Sequence, residues 1–153
     1  MDTAVKEWSD QRIEITSANP ISNISVQTRT TVPELEAEIE SARMLLRLPD
    51  NWDGEGSAPY SENTLKRAIA FVRMHIERVW EAGINAPAPR ISAGPDGSID
   101  VHWKQRAWEL LVNVPADETQ PAAFYGDDYG AGVIKGTIDT ARYSFGLLEW
   151  LMK

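Results

Sequence analysis

A small α+β domain is the fold class this sequence predicts, and three observations predict it. Pro89–Val114 alternates apolar and polar residues between tight turns, as half-buried strands do. Leu35, Ile39, Ala42 and Leu46 recur at helical spacing, and so do Leu65, Ile69, Val72, Ile76 and Val79. The expectation is an antiparallel meander of three to four strands packed against two to three helices. One domain covers residues 32–153, and residues 1–31 form an N-terminal arm or an extra hairpin on the sheet edge.

In residues 1–31, Ile13 with Ile15 and Ile24 with Val26 give two short alternating patches around the break at Asn19-Pro20. They suit either an edge hairpin or an arm that orders on a partner or a second copy of the chain. Thr31-Val32-Pro33-Glu34 then reads as a capping box that opens the first helix, with proline tolerated in the first turn. Glu34, Glu36 and Glu38 lie near its positive end, and Pro49 stops it. The second helix starts after Ser61, a good N-cap, and runs to about Ala82, where Gly83 can adopt a left-handed C-cap.

Pro87 and Pro89 force an extended lead into the meander. Ile99, Val101 and Trp103 face one way and Asp100 and His102 the other. Trp108, Leu110, Val112 and Val114 repeat the rhythm after a gap at Lys104–Arg106. The turn before them, Gly94-Pro95-Asp96-Gly97, combines a fixed φ, a side chain that bonds its own backbone, and a residue free to take φ > 0. Pro115–Pro121 reads as a turn, Ala122–Tyr125 as a short edge strand and the glycine-rich Gly126–Gly136 as a flexible surface loop. A last helix spans roughly Thr140–Met152, capped by Thr137 or Asp139. Ala141, Phe145, Leu148 and Met152 share one face, which Leu147, Trp150 and Leu151 widen. So broad an apolar arc is either docked or a subunit seam, and a homodimer through this helix is consistent with it.

Composition narrows the function classes. The chain of 153 residues is 42% hydrophobic and 25% charged and carries six tryptophans, ordinary values for one globular domain apart from the tryptophan. The absence of cysteine removes disulfides, zinc–thiolate sites and thiol nucleophiles. No apolar run reaches the ~18 residues of a membrane helix, and MDTAVKEWSDQ is no secretory signal. Cytoplasmic residence is the default expectation. The net charge is −8, and the acids are spread through the chain. Nucleic-acid phosphate is disfavoured as a direct partner by that balance, whereas another protein, particularly a basic one, is not.

No constellation nominates a catalytic residue, a cofactor or a metal. His102 and Asp100 share a strand face and could act as base and orienter, but no nucleophile stands in a recognisable setting. The strand after Asp96 lacks the Glu-x-Lys that a metal-dependent nuclease would want. Gly126–Gly136 matches neither a dinucleotide nor a P-loop fingerprint. The second helix carries His75 at the flank of its apolar stripe.

One loop stands out. Asp50-Asn51-Trp52-Asp53-Gly54-Glu55-Gly56, within Pro49–Tyr60, is longer than most helix–helix connections. Aligned as a calcium loop it fails at both ends, with Pro49 first and Tyr60 last. The simpler reading is a turn at Asp53-Gly54 with Trp52 plugging the core between the helices. Together with Leu48-Pro49, the serine-capped helix, Pro89-x-Ile91 and Asp96-Gly97-x-Ile99-x-Val101-x-Trp103, this loop resembles a group of short uncharacterised bacterial proteins. They share a Trp-Asp-Gly loop followed by an Asp-Gly hairpin ending in tryptophan. The resemblance covers Leu48–Val114 and implies a bacterial or phage origin and a small α+β fold, without an activity.

Acidity without a catalytic set, together with surplus tryptophan, points to a protein-binding module: an antitoxin, an immunity-type inhibitor or an adaptor. The contact residues expected are Trp8, Trp52, Asp53, Glu55, Asp127, Asp128 and Trp150. The alternative is a divalent-metal-dependent enzyme using Asp53, Glu55, Asp100 and His102.

Overall fold

The computed structural model describes residues 22–153, with residues 22–31 as backbone only. Helix α1 spans Ser22–Ala42 and runs into a 3-10 turn at Arg43–Arg47; α2 spans Glu62–Glu81 and α3 spans Phe145–Leu151. Between them lie β1 (Arg90–Ala93), β2 (Ile99–Lys104), β3 (Glu109–Val114), β4 (Ala122–Asp127) and β5 (Val133–Ile138). The class is α+β. All neighbouring strands pair antiparallel in the order β1-β2-β3-β4-β5, so the meander has five strands rather than three to four.

The core lies between one sheet face and the helices. Ile91, Ile99, Val101, Trp103, Leu110, Val112, Val114 and Ala122 supply the sheet side and are buried. Leu65, Ala68, Phe71, Val72, Ile76 and Val79 of α2 meet them, with Leu35 and Ile39 of α1 and Leu147, Leu148 and Leu151 of α3. Trp103 is 0% exposed, and its indole N–H donates to the Pro87 carbonyl at 2.9 Å. The proline-rich lead therefore satisfies the polar atom of the largest buried side chain. Truncating Trp103 or Phe71 to alanine should cost about 3–5 kcal/mol, the usual loss for a fully packed aromatic.

Capping chemistry fixes α2 at both ends. The Ser61 side chain accepts the Thr64 N–H at 3.1 Å. At the other end Gly83, with φ +81°, lets its own N–H reach the Trp80 carbonyl and the Ile84 N–H reach that of Val79, a complete Schellman closure.

Three boundaries differ from the sequence reading. The first helix begins at Ser22, not at a Thr31 capping box, so Ile24 and Val26 are helical and Pro33 sits inside the helix. The patch at Ile13 and Ile15 lies outside the described residues. Gly126–Gly136 is no loop: it holds the end of β4, a turn and the start of β5. The last helix is only Phe145–Leu151, capped by Ser144, whose hydroxyl accepts the Leu147 N–H.

The alternate strand positions make the other sheet face. Its middle row, matched by register, is Arg90, His102, Leu111, Tyr125 and Lys135. Beside it run Ser92, Asp100, Asn113, Ala123 and Thr137, and none of these ten residues is buried. Among the described residues nothing covers this face.

Candidate functional site

A meander places alternate turns at the same end of its sheet. Here the β1–β2 turn and the β3–β4 turn share one end, because Ile99 pairs with Val114. The loop of residues 49–60 reaches that end too: a Cβ on Gly97 would lie 3.4 Å from the Pro59 carbonyl oxygen and 3.4 Å from Ala116 Cβ. Three connections with separate origins in the chain thus converge. Between them they carry Asp50, Asp53, Glu55, Asp96, Asp117 and Glu118, all exposed. The cation tied to them is Arg67, whose guanidinium donates to the Pro115 carbonyl at 2.8 Å and to that of Ala116 at 3.3 Å.

The loop is held by its own polar atoms. The Asn51 N–H donates to the Ser57 carbonyl at 2.7 Å, while the Asn51 side chain accepts the Gly56 N–H. One Asp53 oxygen accepts the Glu55 N–H at 2.9 Å and the other accepts the Ser57 hydroxyl. These donors, the Ser57 hydroxyl foremost, hold the Asp53 carboxyl below its ordinary value. Asp53 is therefore a charged residue that shapes the loop as well as colouring its field.

Trp52 does not plug the core. It is 37% exposed and stands against Tyr60, ring centroids 6.2 Å apart and tilted by 49°. The buried ring is Tyr60, 6% exposed, which donates its hydroxyl to the Gly94 carbonyl at 2.9 Å. Burial raises the Tyr60 phenol above its ordinary value, and nearby Asp53 and Asp100 add to that. Beneath the Gly94 turn, the Asn113 amide donates to the Ser98 hydroxyl and to the Asp100 carboxylate, each at 2.8 Å. The acidic loops thus stand on a hydrogen-bonded base, and one of them carries the Trp52 indole against Tyr60.

Asp127 and Asp128 lie at the opposite end of the sheet, since Asp127 pairs with Glu109 and not with the Val114 end of β3. Five residue steps along β3 put the two ends about 17 Å apart. Asp127 accepts the Tyr125 hydroxyl at 3.1 Å and the Tyr129 N–H at 2.8 Å. Asp128 accepts the Ala131 N–H at 2.8 Å and that of Gly132, and it faces Lys153 Nζ at 3.7 Å. Both acids build the β4–β5 turn. Trp150, expected on the contact surface, is 7% exposed; its indole N–H donates to the Glu109 carbonyl at 3.0 Å, and Lys153 lies over its ring. Trp8 lies outside the described residues.

Of the enzyme constellation, Asp53 and Asp100 both lie near Tyr60, whereas His102 turns to Glu109. Asp53 and Glu55 are on the acidic loop, Asp100 is bound by Asn113, and His102 Nε2 pairs with Glu109 at 2.9 Å rather than with Asp100. His75 is on the helix side of the sheet, with Nδ1 against the Phe71 carbonyl and Nε2 against the Ser144 N–H, both at 3.0 Å. Since a carbonyl can only accept, Nδ1 carries the proton and Nε2 accepts. Among the described residues no group of three or more His, Asp or Glu is arranged to hold a metal ion. Among the described helices, none is long and apolar enough to cross a membrane.

Sequence reasoning named Trp52, Asp53 and Glu55 but did not place Asp96, Asp117 and Glu118 at the same end of the sheet. The signal was available: the turns after the first and third strands of any meander fall at one end. No known protein family, curated protein or solved structure matches the chain.

Proposed function

We propose that the chain is a small protein-binding module that covers a basic surface of another protein with the acidic end of its sheet. In the bacterial or phage setting that its Trp-Asp-Gly loop and Asp-Gly hairpin suggest, an antitoxin, an immunity-type inhibitor or a cytoplasmic adaptor would work this way. The observation that carries the reading is that three loops meeting at one end of the sheet carry six exposed acids and the half-exposed Trp52. Interfaces of this kind use an aromatic anchor for affinity and a charged surround for encounter rate and selectivity. The net charge of −8 steers the same class of partner.

The test begins with a pull-down from the native host using the full chain, with recovery of one predominant basic protein expected. Binding of that protein, once purified, should then weaken roughly 30-fold in Trp52→Ala, the loss of a hot spot of about 2 kcal/mol. Glu55→Lys with Glu118→Lys should slow association and flatten its salt dependence without lowering the melting temperature, because both side chains are exposed. Repeated empty pull-downs, or a partner indifferent to all three changes, would remove the proposal.

A further inference from the structure

The two edges of the sheet are finished differently. Along β1 the Glu38 carboxylate accepts the Ile91 N–H at 2.9 Å, and α1 packs beside the strand. Along β5 four of six residues are exposed, and no described residue pairs with its outer side. The direction of its backbone groups follows from the turn. The Asp128 N–H donates to the Gly132 carbonyl at 3.0 Å, which makes 128/132 a hydrogen-bonded pair. Bonded and non-bonded pairs alternate along an antiparallel ladder. The N–H and C=O groups of Val133, Lys135 and Thr137 therefore point away from β4.

We propose that β5 pairs with β5 of a second copy, antiparallel about a two-fold axis through Gly136. In this register the strand sets its own apolar residues against one another. Gly136 faces its counterpart, and Ile134 lies opposite Ile138 twice, extending the apolar inner face. Lys135 lies opposite Thr137 twice, as the outward-pointing hydrogen-bonded pair. Lys135 is diagonal both to Asp139 of the other copy, an opposite-charge pair within reach of a long side chain, and to the other copy's Lys135. Centring one residue earlier would set Lys135 directly against Lys135; centring one residue later would set Lys135 opposite Asp139 but carry Ile134 past the strand, opposite Thr140 in the following turn. The inner pairs close the mouth of a groove lined by Phe124, Ile134, Leu147 and Trp150. Only short strands meet, so the interface is small and the dimer weak. Because each copy carries −8, salt should strengthen it by screening.

Sedimentation velocity of the full chain at about 10 µM and about 1 mM, in low and in physiological salt, reads the association directly. A concentration-dependent dimer favoured by salt is expected. Thr137→Pro removes an outward N–H without touching the β4 ladder, so it should abolish the dimer. Lys135→Glu should weaken it while leaving the melting temperature unchanged. The register has its own readout, since the chain has no cysteine. Lys135→Cys chains mixed with Thr137→Cys chains should oxidise to a disulfide heterodimer, at the ~5.5 Å Cα spacing of a bonded pair, faster than either variant alone links to itself. A monomer at every concentration, whether the edge is bare or filled by the chain's own first residues, overturns the proposal. So does a dimer that Thr137→Pro leaves intact or that Lys135→Cys links to itself.

Discussion

At the level of single residues, the base of the acidic end depends on a side chain that is missing. A Cβ on Gly94 would stand 2.5 Å from the Ser98 hydroxyl, 3.0 Å from the Asn113 amide nitrogen and 3.1 Å from the Asp100 carboxylate. That space is filled by the network that orients the turn, and the Gly94 carbonyl is the atom that Tyr60 holds. Gly94→Ala should therefore lower stability by roughly 1–3 kcal/mol, the cost of overpacking a filled site. Gly130→Ala, where an added Cβ meets nothing within 4 Å, should change little. Urea midpoints of the two variants make the comparison, and equal losses would mean that Gly94 is not a packing position. Tyr60 and Trp52 teach a related lesson about reading sequence. Both are apolar rings in one loop, and nothing in their spacing says which one turns inward. Tyr60 does so because it immediately precedes the capped first turn of α2, which fixes its direction, and because the Gly94 carbonyl is there to take its hydroxyl.

At the level of elements, α2 and the central strands were legible because period, caps and turn residues agree there. Strand β5 was not, and its concealment is physical. A strand on an exposed edge has no buried face of its own to alternate, and two glycines next to it look like loop. Yet Gly126 and Gly136 act as packing surfaces. A Cβ at Gly126 would lie 3.0 Å from the Trp150 ring, and one at Gly136 would lie 3.2 Å from that of Phe124. Glycine in a strand can thus mark a place where a ring approaches the backbone closely as well as a turn. The first helix hid for another reason. Pro33 has no N–H to donate one turn back, so a reader starts the helix there, although the cost of one missing bond can be carried inside a long helix. The β4–β5 turn yields a prediction at this scale. Asp128 accepts two of its backbone N–H groups and meets Lys153, so Asp128→Ala should speed hydrogen exchange at Ala131 and Gly132 while amides of β2 stay as protected as before. Uniform loss of protection would show that the turn and the core open as one unit.

At the level of the whole molecule, acid should destabilise the fold in two stages of different origin. His75 is buried and neutral, bonded at both nitrogens in a way that only the neutral ring allows, and burial holds its pKa below the ordinary value against the opposing Phe71 hydrogen bond. The unfolded chain binds a proton at this residue near pH 6.5 and the folded chain does not. Stability is therefore full above that pH and falls as the medium is acidified toward the folded value. The carboxylates have the second stage. Asp53, Asp117, Asp128 and Glu36 are held below their ordinary values, chiefly by Ser57, Thr119, the Gly132 N–H and Arg73 respectively. Their contribution is present above about pH 4 and is lost as pH falls through the folded values. Between pH 7 and 5 the chain's net charge of −8 shrinks, which relieves self-repulsion and pushes the other way. A fall in stability between pH 7 and 5 is thus a local effect working against the global one. Urea midpoints across pH 8 to 3 should show it in the wild type. In His75→Leu the whole curve should lie lower, because the Ser144 N–H loses its partner, yet it should be flatter between pH 7 and 5. If the variant kept the wild-type slope there, the proton would be binding elsewhere, and the link that His75 makes between α2 and the cap of α3 would not be what acid breaks.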